Sequence, residues 1–398
     1  MIDKKSFKIA GDLFYTVMAT VVMNVVLQII IYPLITHYYG DNVTGEILYF
    51  MGFIYIIPQA FGTAVSNTRL VVRKNWEATN ADFTHVIVIS SVISALFCGC
   101  VAVLDKGSFA FVLLYALFSV LYFLRSYAQV EFRLTLKFKS YFLYYLLLSV
   151  GYLIGLGLYF LTKQWLFIFI AGESFSLAYT FLKGNILKRE ERKTPRKAVN
   201  STIIMIAIST LMRDCVIQFD KVILKQTISA AVVTQYHVVS LIAKTMQMLI
   251  SPVNTLIMSY LTVKGAVLSR KGLVKFTLAA MLVGTVFFGI CIVGTPIYIK
   301  LFYPSLYSEI IQYNFIVNSG LIIGFLASLF MSVMLSQGQT RLHTIIECLF
   351  GVCYVIAAYF AASSSGIWGL SYVTLVINTV KMTIVLLCLF LGLKKNNV

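Results

Sequence analysis

Twelve apolar runs, each of about twenty residues or more, follow one another along this chain of 398 residues. Each is long enough to cross the roughly 30 Å of hydrocarbon in a bilayer. They lie near 11–36, 45–68, 84–104, 109–132, 140–161, 165–186, 200–224, 230–260, 274–295, 309–336, 342–362 and 367–392. In lipid a segment must satisfy its backbone hydrogen bonds within itself or in a closed barrel. Barrel strands alternate apolar and polar residues over about 10 positions; these runs are continuous, so they read as helices. Charged residues make up 12% of the chain, against about 25% in ordinary soluble domains. The expected fold is an all-α integral membrane protein of twelve transmembrane helices, with the lipid bilayer as its solvent. Lys4, Lys5 and Lys8 ahead of the first run resemble the start of a signal peptide. That run is too long, has no small-x-small cleavage pattern and is followed by eleven more, so it reads as the first transmembrane helix.

The connections are short and carry turn chemistry: Gly40 with Asp41-Asn42, Lys106-Gly107, and Ser363-Ser364-Ser365-Gly366. The formal charge of +17 would point to nucleic acid in a soluble protein. Here its distribution gives another reading. Twenty-four Lys and Arg fall at the N-terminus, at the C-terminus or beside alternate loops, whereas Lys106, Lys163, Lys221, Lys225 and Lys300 fall on the opposite side. Positive loops stay in the cytoplasm, so both termini are expected inside, and no nucleic-acid partner is needed.

The most charged stretch, Lys183 to Lys197, follows the sixth run and divides the chain into 1–186, a basic cytoplasmic linker at 187–199, and 200–398. Six helices on each side predict two six-helix bundles related by a repeat. A weak repeat supports this. Gly45-Glu46-Ile47 leads into a helix holding Pro58, and Thr234-Gln235-Tyr236 leads into one holding Pro252. The two prolines are expected to bend their helices.

Ionisable side chains at membrane depth are costly, by roughly 2.5–3.5 kcal/mol on insertion scales, and are read first as functional. Arg213 and Asp214 lie near the middle of the seventh run, Lys244 of the eighth and Lys381 of the twelfth. Glu173 lies in the outer half of the sixth run, and Arg125 deep in the fourth. Four stripes at helical spacing accompany them: Ser240, Lys244, Gln247, Ser251 and Asn254; Gln59, Thr63, Ser66 and Arg73; Thr374, Asn378 and Lys381; and Thr16, Thr20, Asn24 and Gln28. Such stripes face protein or water. They serve either as hydrogen-bonding glue between neighbouring helices or as the walls of a polar cleft. Two stripes in each half favour the cleft. Adjacent residues on a helix point about 100° apart, so Arg213 and Asp214 need not neutralise each other. An interior biased toward Arg and Lys suits an anionic cargo.

The seven cysteines have no metal spacing and read as small core residues, and the four histidines are scattered. No metal or cofactor is therefore expected. There is no phosphate-binding Walker sequence, G-x-S-x-G or H-E-x-x-H, and no long outer loop to house a glycosyl-transfer or polymerising centre. A transporter is expected rather than an enzyme.

Arg213-Asp214, then Gln218-Phe219-Asp220-Lys221-Val222-Ile223-Leu224, then Thr234-Gln235-Tyr236 resemble a pattern in the multidrug/oligosaccharidyl-lipid/polysaccharide exporter superfamily. There a charged residue, Asp and an aliphatic run precede Gly-x-Tyr; Thr234 stands where Gly is usual. Within that superfamily the chain is most similar to polysaccharide-biosynthesis flippases of the Wzx type. The resemblance spans the whole chain. It implies a multi-pass protein of the cytoplasmic (inner) membrane that moves polyprenyl-diphosphate-linked oligosaccharide to the outer leaflet by alternating access. The pathway would be capsule, O-antigen or exopolysaccharide assembly, with polysaccharide polymerase machinery as a possible partner. In that setting Arg213 and Lys244 are the leading candidates to hold the diphosphate, with Lys381, Arg125, Gln247, Asn24 and Gln28 beside them. Asp214 and Asp220 are candidates to compete for the cations or to carry a coupling proton. A cation-coupled multidrug exporter of the same superfamily is the alternative, and a membrane glycosyltransferase or polymerase a more distant one.

Overall fold

The computed structural model describes residues 4–72, 78–184, 190–263, 270–337 and 339–395, with 248–263 described by the backbone alone. The N-terminal elements are α1 (Lys4–Val25), a π-helical segment (Val26–Ile31), α2 (Tyr32–Tyr39), α3 (Asp41–Val72), α4 (Asn80–Leu104), α5 (Phe109–Ala128) and α6 (Val130–Leu134). They are followed by α7 (Phe138–Thr162), α8 (Leu166–Lys183), α9 (Arg196–Thr227), α10 (Ala230–Val263), α11 (Arg270–Phe302), α12 (Tyr307–Ile310), α13 (Asn314–Ser336) and α14 (Thr340–Lys395). Among the described residues, ten helical stretches are long and apolar enough to cross a membrane. One of them, Arg341–Leu391, is bent at Gly366, where φ is 60° and ψ −136°, and so supplies two spans. With α10 the count is twelve. The fold is the all-helical membrane architecture expected.

The turns follow from local chemistry. Gly40 (φ 86°) joins α2 to α3, and Lys106 (φ 58°) closes the connection from α4 to α5. Pro58 sits inside the uninterrupted α3, and the side chain of Pro252 lies outside the described residues. The interruption falls in the first span instead. Pro33 has no N–H to give, and its ring crowds the carbonyl four residues back. The turn before it widens, and Tyr32 N–H reaches Leu27 O, five residues back. The resulting π segment, Val26–Ile31, contains Gln28; such segments are uncommon and often functional.

The chain divides into two compact units, one of residues 1–38 and 50–218, the other of 39–49 and 219–398. In the first, α7 and α8 make the most extensive helix pair. Small residues allow it: a Cβ on Gly151 would lie 2.7 Å from the Cα of Gly172. A second layer of Val65, Phe83, Phe123, Tyr127, Val130, Val199 and Ile203 joins α3, α4, α5 and α9. In the second unit α13 packs on α10, α11 and α14, with Leu273, Phe325, Leu329, Phe330, Met334 and Val385 buried between them. There the two repeat-like words meet. Thr234 Oγ1 donates to Asp41 O at 2.7 Å, and any side chain at Gly45 would collide with the carbonyl of Ala230.

The basic linker is held against the first unit rather than running free. Buried Asp82, in the first turn of α4, accepts from Lys193 N and Thr194 N, both at 3.1 Å, through one oxygen. Its other oxygen accepts from Thr79 N at 2.8 Å, completing a capping box. Thr79 Oγ1 donates to Glu191 O at 2.8 Å. Helix α9 then begins at Arg196, four residues before the apolar run predicted at 200–224. Of the cysteines, Cys98 and Cys291 are core residues as expected, but Cys100, Cys348 and Cys353 are exposed.

Candidate functional site

Each cation singled out at membrane depth has a carboxylate beside it. In the second unit Asp220, near the end of α9, receives Lys244 Nζ of α10 at 2.6 Å. The aspartate side chain is 5% exposed and the lysine side chain 23%. The other oxygen of Asp220 accepts from Lys221 N at 2.8 Å. The Lys221 side chain is also buried, within electrostatic reach of Asp220 and Lys244. Buried His237 faces the same two lysines. The Lys244 ammonium lies 5.1 Å from the ring centre of Tyr236, a cation–π distance. Tyr236 and Tyr354 of α14 both lie near Thr374.

This cluster corrects the sequence reading in one respect and extends it in another. Lys221, assigned to the outer side by its position in the chain, is buried next to Asp220 and not exposed in a loop. Its signal was present in the adjacent Asp-Lys pair within an apolar run. His237 carried no signal beyond its place seven residues before Lys244. One ammonium, that of Lys244, thus meets the Asp220 carboxylate directly, and that of Lys221 lies within electrostatic reach of it.

In the first unit, Arg213 and Asp214 form an ion pair, which the sequence left open: Arg213 Nε lies 3.0 Å from Asp214 Oδ1. The arginine side chain remains 63% exposed, that of Asp214 only 11%. Arg125 is set apart from any exposed surface. It pairs with Glu173 of α8 at 2.5 Å, both side chains at or below 5% exposure, with its guanidinium 4.6 Å from the ring centre of Tyr122. Tyr152 Oη donates to Glu173 at 3.1 Å and Tyr144 Oη to Arg125 O at 2.6 Å. Lys381 pairs with half-exposed Glu347 at 2.6 Å.

The polar stripes are mostly glue. Gln247 Nε2 donates to Leu321 O of α13 at 2.8 Å, and Asn378 Nδ2 to Gly320 O at 3.0 Å. Gln59 Oε1 accepts from Tyr122 Oη at 2.8 Å and from Ser126 Oγ at 3.2 Å. Asn24 Nδ2 folds back on Thr20 O at 3.0 Å, and Gln28 sits in the π segment. In hydrocarbon a free amide is expensive, and a neighbouring backbone carbonyl satisfies it at once. The cleft expected from these stripes therefore loses Gln247, Gln59 and Asn378 as obvious wall residues. Ser251 and Asn254 lie outside the described side chains. Among the described residues no three His, Cys, Asp or Glu side chains converge as a metal site would require.

A search of protein-family models gives no match to the chain, and a search of curated protein sequences gives none either. Solved structures do match. An inward-facing multidrug resistance MATE family transporter of the MOP superfamily aligns over 95% of this chain and 96% of its own, with a TM-score of 0.66 at 13% identity. An outward-facing structure of such a transporter gives 0.63 at 13% identity, over 98% of this chain and 95% of its own. The lipid II flippase MurJ, in an inward closed conformation, gives 0.70 at 14% identity, over 94% of this chain and 87% of its own. The chain thus has the fold that these transporters share.

Proposed function

We propose that this protein is a flippase for an anionic lipid-linked sugar, a polyprenyl-diphosphate oligosaccharide, carried across the membrane by alternating access. The observation that carries the reading is the cluster in the second unit, where Lys244 pairs with Asp220 and buried Lys221 lies within electrostatic reach of both. The cluster brings two basic side chains into a low-dielectric setting, where one unit charge attracts a phosphate strongly. A cationic drug would be repelled by it, which weighs against the multidrug alternative on the same fold. Asp220 holds Lys244 when no cargo is bound; a diphosphate, with more charge and more acceptor oxygens, takes the ammonium from it. Release restores the internal pair, so binding remains reversible. The similar fold of a lipid II flippase supports a lipid-linked cargo, and assembly of capsule, O-antigen or exopolysaccharide is the setting in which we place it.

The test is transport in proteoliposomes, with a polyprenyl-diphosphate oligosaccharide in one arm and a cationic dye in the other, alongside complementation of surface polysaccharide in a strain lacking the gene. Wild-type protein should move the lipid-linked sugar and leave the dye. Lys244→Ala and Lys221→Ala should each reduce transport by about tenfold or more, on the scale of one charge-assisted hydrogen bond. Dye transport without sugar transport would overturn the assignment.

A further inference from the structure

A groove of about 230 Å³ runs along α9 in the first unit, lined by Phe61 of α3 and by Ile203, Ile204, Ala207, Ile208 and Met212. Every lining side chain is apolar. Ile204, Ile208 and Met212 are half exposed or more, whereas Ile203 and Ala207 form a buried floor. Asp214 follows Ala207 by seven residues and Ile203 by eleven, which puts it on the same helix face beyond the end of the groove. There it holds Arg213 by a single bond from Nε. Among the described residues the two terminal amino groups of that guanidinium have no partner, and the side chain is largely exposed. The second oxygen of Asp214 is buried without a hydrogen-bond partner, so the pair is incompletely satisfied.

We infer that this groove and Arg213 form a binding site for an anionic isoprenoid lipid. The hydrocarbon chain lies on Ile203–Met212 and Phe61, and a phosphate oxygen pair sits on the free fork of Arg213. The inference rests on the proposed flippase reading and adds where the chain of the cargo is held. An apolar cavity of about 150 Å³ accommodates benzene, so the groove takes roughly one or two isoprene units. A chain entering it from the bilayer gains no hydrophobic energy, because lipid tails are equally apolar. Affinity must come from the head, which is why the exposed guanidinium at one end matters. The planar fork suits two phosphate oxygens at once. The order along α9 has a further consequence. With the basic linker in the cytoplasm, α9 runs outward, and the apolar groove precedes the cation. A lipid bound this way has its chain in the cytoplasmic half of the membrane and its head near the middle, a position passed during transfer and not one of either leaflet.

The experiment places a benzophenone amino acid at Ile208 of the full-length protein in proteoliposomes containing phosphatidylglycerol and a radiolabelled polyprenyl-diphosphate sugar. Irradiation should label Ile208 with the sugar lipid, and excess unlabelled sugar lipid should suppress it. Arg213→Ala should cut labelling about tenfold, on the scale of one charge-assisted contact, and Arg213→Lys should restore part of it. A second variant, Ile208→Trp, fills the groove from its exposed side. It should reduce transport of a long-chain cargo more than that of a two-isoprene cargo, and an equal effect on both would count against the groove. Labelling mainly by phosphatidylglycerol, insensitive to the competitor and to Arg213→Ala, would overturn the groove assignment. If the wild type still transports the sugar lipid in that case, the flippase reading stands alone; if it transports none, that reading falls separately.

Discussion

Lys244 Nζ and Asp220 Oδ2 are 2.6 Å apart, and this contact joins α10 to α9 inside the second compact unit. The pair has two roles to separate, holding helices together and exchanging with cargo. Removing one partner leaves the other charge poorly solvated, which commonly costs several kcal/mol.

Lys244→Ala should lower the stability of the purified protein by about 2–3 kcal/mol, toward the low end because the lysine is partly exposed. Asp220→Asn combined with Lys244→Gln should recover most of that loss. If the cluster grips cargo, the double variant remains inactive although stable. Thermal unfolding in detergent beside proteoliposome transport measures both. Full transport by the double variant would show the pair to be structural only.

The Arg125–Glu173 pair lies deeper, enclosed by tyrosines, with both side chains almost wholly buried. Glu173→Gln should destabilise by about 3–5 kcal/mol, because it leaves the guanidinium without a counter-charge. Arg125→Met with Glu173→Leu should be markedly more stable than either single variant. Transport in the double variant should persist when measured well below its unfolding temperature. A specific loss of transport there would return Arg125 to the list of cargo-binding residues.

Asp82 pins the linker by accepting from the backbone N–H groups of Lys193 and Thr194. Asp82→Ala should free this segment and speed tryptic cleavage after Arg192 or Lys193 by roughly tenfold, the equivalent of about 1.4 kcal/mol in the opening equilibrium. Mass mapping of the fragments identifies the bond cut. Unchanged cleavage would mean that the contacts of Thr79 and Glu191 suffice.

The charge distribution expects both termini inside. On a cysteine-free background, cysteines at Asn42, Ser108 and Ser364, all exposed, should react from outside intact cells. Thr194 is buried against Asp82, so the exposed Lys197 is the informative inner position. A cysteine there should react only after permeabilisation. Reaction at position 197 in intact cells would reverse the orientation and the inferred direction of transport.

The residues themselves determined that this chain makes twelve membrane-crossing helices. Length and apolarity of a run are local properties, and in lipid they admit few alternatives. Turns at Gly40, Lys106-Gly107 and Gly366 were legible for the same reason, since each needs only the backbone preferences of its own residues. The interruption before Pro33 was legible in principle, because a missing N–H acts over one turn. Partner choice was another matter. A polar stripe marks which face of a helix avoids lipid, and it is the same stripe whether that face meets water or another helix. Only packing decided that Gln247 is spent on the carbonyl of Leu321, that Arg125 meets Glu173 from a helix 48 residues on, and that Lys221 lies buried beside Asp220. Depth read along a chain cannot separate these outcomes, because an ion pair or an amide–carbonyl bond depends on atoms that distant segments bring within 3 Å. That basic residues stand at membrane depth was legible in the sequence; which carboxylate each one meets was decided by the tertiary structure.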